Sequence, residues 1–358
     1  MAAAAMKVVG LLFGAIDMVS MAQSMIPERA GADTIVRIGV GTSINKADST
    51  GGDTPGIRLF DVMGRNIGET RGSKKSKIVD GGYKDITVKA VKGMETVQAQ
   101  YVSISKGGND ALCVAYISLT WPDGSNKAWY GDVGSECGGH WYNSQTIVGD
   151  TNYQPRCTWI DGDGSNGITT QGMGIHITDF TATEERIAAY KKDKDTMCKS
   201  KPRFRLYDKL SSDMFLPYFN PPLQYSDKLV DKDRSKVMVD GASTGKLPPK
   251  NKKRSPREKR ALLSKRYVFP GKLVTSKQNA HSARALCESK SSLGPDFVSL
   301  HERLFCDMDL KQLWPLCGKG IASGCFNTTT HTMDMDISRR DDTGRIAPEK
   351  DYVDLQAW

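Results

Sequence analysis

Glu136 and His140, four residues apart across Cys137-Gly138-Gly139, are the pair in this sequence best suited to acid–base chemistry. A carboxylate beside an imidazole can shuttle a proton in hydrolysis, but a nucleophile or a substrate clamp must complete the set. Nothing nearby supplies one, and His176, between Ile175 and Ile177, reads as a single strand position. A second candidate is "DGDGSNGI", where Asp161, Asp163 and Ser165 offer oxygens at alternate positions, as in the first half of an EF-hand calcium loop. The match then fails: glycine arrives one place late, at Gly167, and the twelfth position is Gly172 instead of a bidentate acid. Calcium is thus the one cofactor the sequence raises, against the simpler reading of a plain turn. A third candidate is aromatic: Trp121, Trp129, Trp141 and Trp159, with Tyr130 and Tyr142, crowd one region. Exposed, these rings would stack on sugars as a lectin-like platform, whereas tryptophans beside cysteines in a β-sandwich more often fill the core.

Processing chemistry leaves a more regular trace. Lys253-Arg254, Lys259-Arg260 and Lys265-Arg266 recur every six residues. A kexin-like proprotein protease of the Golgi reads such pairs in an extended, solvated chain, which the surrounding Pro, Ser and Lys would provide. Cutting after Arg254, Arg260 or Arg266 would separate the chain into two parts; the bland alternative is an uncut basic linker. A nuclear-localisation reading of "KNKKRSPREKR" conflicts with the export signals.

Eight cysteines divide evenly about that basic stretch: Cys113, Cys137, Cys157 and Cys198 before it, Cys287, Cys306, Cys317 and Cys325 after it. An even count in each half predicts disulfides closed within each half, with three pairings open in each. The C-x-x-C spacing of a zinc site is missing, and the five histidines are scattered. Asn327-Thr328-Thr329 is the single N-glycosylation triplet.

The elements that must position these groups are mainly β. Residues 1–22 read as a secretory signal peptide, with Lys7 before an apolar run and small Ser20 and Ala22 before a cut at Gln23. Asp17 interrupts the run, and a buried N-terminal helix is the alternative. Residues 23–207 predict an antiparallel β-sandwich or jelly roll, from segments such as "TIVRIGVGTS", "TVQAQYVSIS" and "ALCVAYISLTW". Pro122-Asp123-Gly124 predicts a hairpin. "TATEERIAAYKKD" predicts a helix capped by Thr181 or Thr183. Residues 208–266 read as a disordered basic linker, and 267–358 as a small disulfide-stapled α-helical domain with a polar tail, Phe297, Leu300, Leu304 and Phe305 sharing one helical face.

The net charge of +9 is concentrated near 247–266, which argues against a nucleic-acid-binding surface. The apolar N-terminal run falls short of a bilayer span, so no stable membrane anchor is predicted.

At "ARALCES", "GPDFVS", "ERLFCDM" and "LWPLC", within residues 267–317, the chain resembles a group of uncharacterised secreted proteins of filamentous fungi. The remainder shares a vaguer likeness with similar sequences. The resemblance implies a secreted fungal product and brings no activity, ligand or residue role. Taken together, these readings predict an extracellular, non-enzymatic, effector-like protein acting on a host or cell-wall component. A lectin-like module and a secreted hydrolase are the rivals.

Overall fold

The computed structural model describes residues 6–12, 14–41, 50–149, 152–165, 167–200, 202–229, 238–239, 248–249, 269–318, 320–335 and 347–358. The chain divides into two units, 1–263 and 264–358.

The first unit is organised around β10 (Leu112–Thr120), whose nine residues are all buried. That is expected of a strand with neighbours on both edges, since a run apolar on both faces tolerates no solvent. One edge of β10 pairs antiparallel with β3 (Thr34–Val40), which pairs on with β8 (Tyr83–Val88). The other edge is shared by β11 (Asn126–Tyr130) and β13 (Cys157–Ile160), with β12 (Trp141–Tyr142) beyond. A second antiparallel sheet runs β15 (Phe204–Tyr207), β14 (Gly172–His176), β9 (Tyr101–Ser105), β5 (Gly56–Phe60) and β6 (Asn66–Thr70). β4 (Gly52–Thr54) and β7 (Ser73–Ile78) form a separate pair.

One apolar core draws on both large sheets, from Val36, Ile38 and Ile117 of the first to Ile57, Val102 and Ile175 of the second. Within the first sheet the Tyr116 ring of β10 lies over its register partner Gly39 of β3, where a Cβ would come within 1.9 Å of it. The expected hairpin at Asp123-Gly124 is present: Gly124 has φ +88°, its N–H donates to the Trp121 carbonyl, and Asp123 accepts from Ser125 N–H. Short α1 (Asp132–Glu136) follows β11. Helix α2 (Glu184–Lys192) is capped by Thr183, whose side chain accepts from Arg186 N–H, and α3 (Lys194–Cys198) by Asp193.

The N-terminal segment read as an export leader is folded here as a hairpin, β1 (Met6–Leu12) with β2 (Ala15–Met21), turning at Gly14 with φ +80°. Val8, Val9 and Met21 are fully buried, and the Tyr153 hydroxyl accepts from Leu11 N–H. An apolar run of this length suits a leader's core and a buried strand pair equally well. A cut before Gln23 would carry both strands away.

Part of the segment 208–266, expected as a disordered linker, is folded. Leu210, Met214, Leu216 and Phe219 pack with Phe60, Tyr101 and Tyr207 on the second sheet, and β16 (Tyr218–Phe219) pairs with β17 (Met238–Val239). These apolar groups are spaced irregularly through an extended, proline-containing stretch, so no strand or helix period betrays them.

The second unit differs from the helical domain that its sequence suggested. Its sheet runs β21 (Gln312–Pro315), β20 (Leu304–Asp307), β19 (Asp296–Ser299), β18 (Lys272–Ser276) and β24 (Asp354–Ala357). β18 is parallel to both its neighbours, and β19–β20–β21 is an antiparallel meander. A further hairpin joins β22 (Cys325–Asn327) to β23 (Thr332–Asp334). The one helix described in this unit is α4 (Ala283–Glu288), capped by Ser282.

"DFVSLHERLFCDM" is therefore two strands and a turn. The reason is specific: residues Arg303, Lys311 and His331 close the three hairpins with φ of 56°, 54° and 57°. Each ends a four-residue loop (300–303, 308–311, 328–331) at a left-handed position usually marked by glycine or asparagine. The expected polar tail likewise contributes β24, with Gln356 buried.

Candidate functional site

Helix α1 runs out at Cys137, and the backbone then turns through Gly138, φ +84°. Gly139 follows so close to the second sheet that a Cβ there would meet Leu206 at 2.7 Å and the Gly134 carbonyl at 2.9 Å. The chain is thereby delivered to His140, whose carbonyl accepts from Trp159 N–H at 2.8 Å. Cys137 is bonded to Cys198 at the end of α3. Between this bridge, His140, Thr169, Thr170 and Asp208 opens a cleft of about 260 Å³.

Of the proposed acid–base pair, His140 lines the cleft, while Glu136 is engaged by Lys194, a cation from α3. Glu136 thus spends one carboxylate oxygen on an ion pair with a side chain 58 positions away.

The aromatic platform is not presented to solvent: Trp121, Trp129, Trp141 and Trp159 are 3%, 0%, 2% and 3% exposed. Trp129 stacks on Phe204 with centroids 5.6 Å apart, and the Arg156 guanidinium covers Trp141 at 4.1 Å. Their size and apolar area put them in the core.

In the calcium-like loop the carboxylates are used to close its own turns. Asp163 accepts from Ser165 N–H at 2.8 Å in a turn-closing bond, and hydrogen bonding from the Ser165 side chain and then from that N–H holds its carboxyl below the usual range. Asp161 is 1% exposed, burial pushes its carboxyl up, and its Oδ2 has no hydrogen-bond partner. Gly172 lies in β14 and brings no side chain to the twelfth position. Asn166 lies outside the described residues, and among those described no group of three or more His, Cys, Asp or Glu is arranged to hold a metal.

The most concentrated electrostatics lie where sequence spacing gave no signal. Asp179 is fully buried and sits 2.8 Å from His176 Nδ1, 2.9 Å from Arg203 and 3.8 Å from Arg186, and accepts the Tyr225 hydroxyl at 2.6 Å. Burial pushes its carboxyl up, but Arg203, His176 and Arg186 outweigh that and hold it below the ordinary carboxylate range. Thr178 Oγ1 lies 3.3 Å from His176 Nε2, which gives the order hydroxyl, imidazole, carboxylate. Yet His176 is 3% exposed, with rings from Tyr101 and Phe219 centred 4.4 Å and 5.9 Å away. A substrate has no way to its ring, and the cluster is a lock joining β14, α2, β15 and the segment after β16. Arg186 extends it by donating to the carbonyls of Thr178, Thr181 and Leu229. The residues come from four separated stretches, so only His176 and Asp179 could have been paired by spacing.

All eight cysteines are bridged: Cys113–Cys157 and Cys137–Cys198 in the first unit, Cys287–Cys306 and Cys317–Cys325 in the second. Closure within each half is as the counts predicted. Asn327 donates its Nδ2 to Asp334 at 2.9 Å and accepts from Thr329 N–H, so its acceptor nitrogen is engaged within β22–β23. Arg254, Arg260 and Arg266 lie outside the described residues. No protein family matches this chain, and no curated protein matches it. No helix among the described residues is long and apolar enough to cross a membrane.

Proposed function

We propose that this chain is an extracellular, non-enzymatic protein of the kind filamentous fungi secrete, effector-like, and acting on a host component or at a cell-wall surface. The observation that carries the reading is the complete pairing of eight cysteines into four bridges, two per unit. Structural disulfides of this density persist in oxidising compartments and are rare where thiol buffers keep cysteines reduced. The fungal likeness over 267–317 supports the source. The engagement of Glu136 by Lys194 and the seclusion of His176 favour binding over hydrolysis, and the buried tryptophans count against a lectin-like aromatic platform.

Maturation adds a second element to the proposal. No bridge joins the two units, so a Golgi protease cutting after Arg254, Arg260 or Arg266 would leave two covalently separate polypeptides, each holding its own two disulfides.

The test is expression in a filamentous fungus, with intact mass of the product before and after reduction, and pull-down on insoluble wall material and host surfaces. The reading expects product in the medium, no free thiol, and retention on one of those surfaces. Product held inside cells with reduced cysteines would sink it. An N-terminus at Gln23 would support the leader, and one at or before Met6 would remove it.

A further inference from the structure

We propose that Cys137–Cys198 is a thiol-exchange site: a low-molecular-weight thiol enters the cleft beside His140 and opens this bridge while the other three stay closed. Exchange requires that a thiolate reach one sulfur of the bond, so access decides which bridge reacts. Among the four, this bridge alone has neither cysteine buried. Cys113, Cys157, Cys306 and Cys325 are 0% exposed and Cys287 6%, which leaves a half-buried Cys317 as the one other approachable cysteine.

Access here is a built feature and not mere exposure. Both cysteines line the cleft, and its volume of about 260 Å³ sits just below the roughly 300–1,000 Å³ of pockets that hold drug-sized ligands. That is room for a short peptide thiol. His140, Thr169, Thr170 and Asp208 make the wall of the cleft around the bridge polar.

In the first step the incoming thiolate bonds to one bridge sulfur, the S–S bond breaks, and the departing cysteine thiolate takes a proton from water. A second thiolate then attacks the small-molecule sulfur of the mixed disulfide, releasing the other cysteine and the oxidised dimer of the thiol. Two electrons pass from two small thiols to the bridge. The segment released would be α3, a five-residue helix in which Met197 is the one buried residue. The inference needs only the bridge and the cleft, and stands whether or not the extracellular reading does.

The test titrates the full chain with reduced glutathione under native conditions, traps free thiols by alkylation and reads each cysteine by peptide mass spectrometry. Cys137 and Cys198 are expected to be labelled at roughly tenfold lower glutathione than Cys113 and Cys157, with the near-ultraviolet signal of the buried tryptophans retained. Opening of Cys113–Cys157, Cys287–Cys306 or Cys317–Cys325 at the same or lower concentration would overturn the proposal. A second arm uses Thr169→Trp to fill the cleft, which should slow labelling of Cys137 and Cys198 by about fivefold and leave Cys317–Cys325 unchanged. An unaltered rate at Cys137 and Cys198 would remove the cleft as the route.

Discussion

The two units solve the same problem with different means. The first shares one large apolar core between two sheets and adds bridges that span 44 and 61 residues. The second gathers Leu273, Val298, Phe305, Trp314, Leu316 and Phe326 into a small core and closes bridges of 19 and 8 residues. It also buries charge: Lys350 lies 2.9 Å from Asp296 and 2.6 Å from Asp307, both fully buried, and Lys311 donates to the Leu286 and Ser292 carbonyls. Burial pulls the Lys311 ammonium down to about 8 and pushes the Asp296 carboxyl up against the pull of Lys350. Small domains bury too little surface to stand on hydrophobicity alone. The comparison teaches that covalent links are a supplement in the first unit and a requirement in the second.

The strongest way to break that comparison is to remove both bridges of the second unit by Cys→Ala at 287, 306, 317 and 325. Chain-entropy arguments assign roughly 3 kcal/mol to each of these short loops and roughly 4 kcal/mol to each of the longer ones in the first unit. We expect amide hydrogen exchange in the full chain to show residues 269–335 losing protection while the β10 sheet keeps it. Retained protection in both would end the distinction.

Asp179→Ala tests the first unit's own dependence on a buried charge. It leaves Arg203 and Arg186 without their carboxylate, a change that costs about 3–5 kcal/mol when a buried pair is broken. A denaturation midpoint unchanged from wild type would show that the cluster is not a lock.

Asp132 sharpens the same point through pH. Fully buried and hydrogen-bonded to Tyr153 and to Arg156 N–H, its carboxyl is pushed up to about 6 by burial. An unfolded aspartate titrates near ~3.9, so between those pH values the folded state binds more protons, and stability falls as pH rises through the window, by up to ~3 kcal/mol. Asp179 has the opposite sign: its stabilisation is present above the unfolded value and is lost on acidification below it. Asp132→Asn should flatten the decline between pH 4 and 6 in urea-unfolding curves, whereas a slope equal to wild type would contradict the assignment.

The smallest expected effect is Val9→Ala, about 2 kcal/mol for emptying a buried site in the N-terminal hairpin. No shift in the first unit's midpoint would detach that hairpin from the core.

What could be read from the sequence followed the turn chemistry. In the first unit, Asp123-Gly124 announces its hairpin and Thr183 its helix, and both are where spacing placed them. In the second, Arg303, Lys311 and His331 occupy left-handed positions without a glycine to flag them, and a strand–turn–strand run passes for a helix. Cysteine parity predicted bridges within halves but could not choose partners. His140 was legible as a polar residue beside two glycines, although its cleft depends on Cys198, Thr169 and Asp208, up to 68 positions away in the sequence. The Asp179 cluster depends on Arg203 and Tyr225, which nothing local marks.

The parallel pairing of β18 with β24 carries a consequence for biosynthesis. Lys272 meets Asp354, so a ribosome must deliver every intervening residue before that edge of the sheet can close. Cys287, Cys306, Cys317 and Cys325 all emerge during that wait, while the completed first unit is already folding ahead of them. The short spans of both bridges, 19 and 8 residues, keep each of these cysteines close to its partner along the chain throughout that wait.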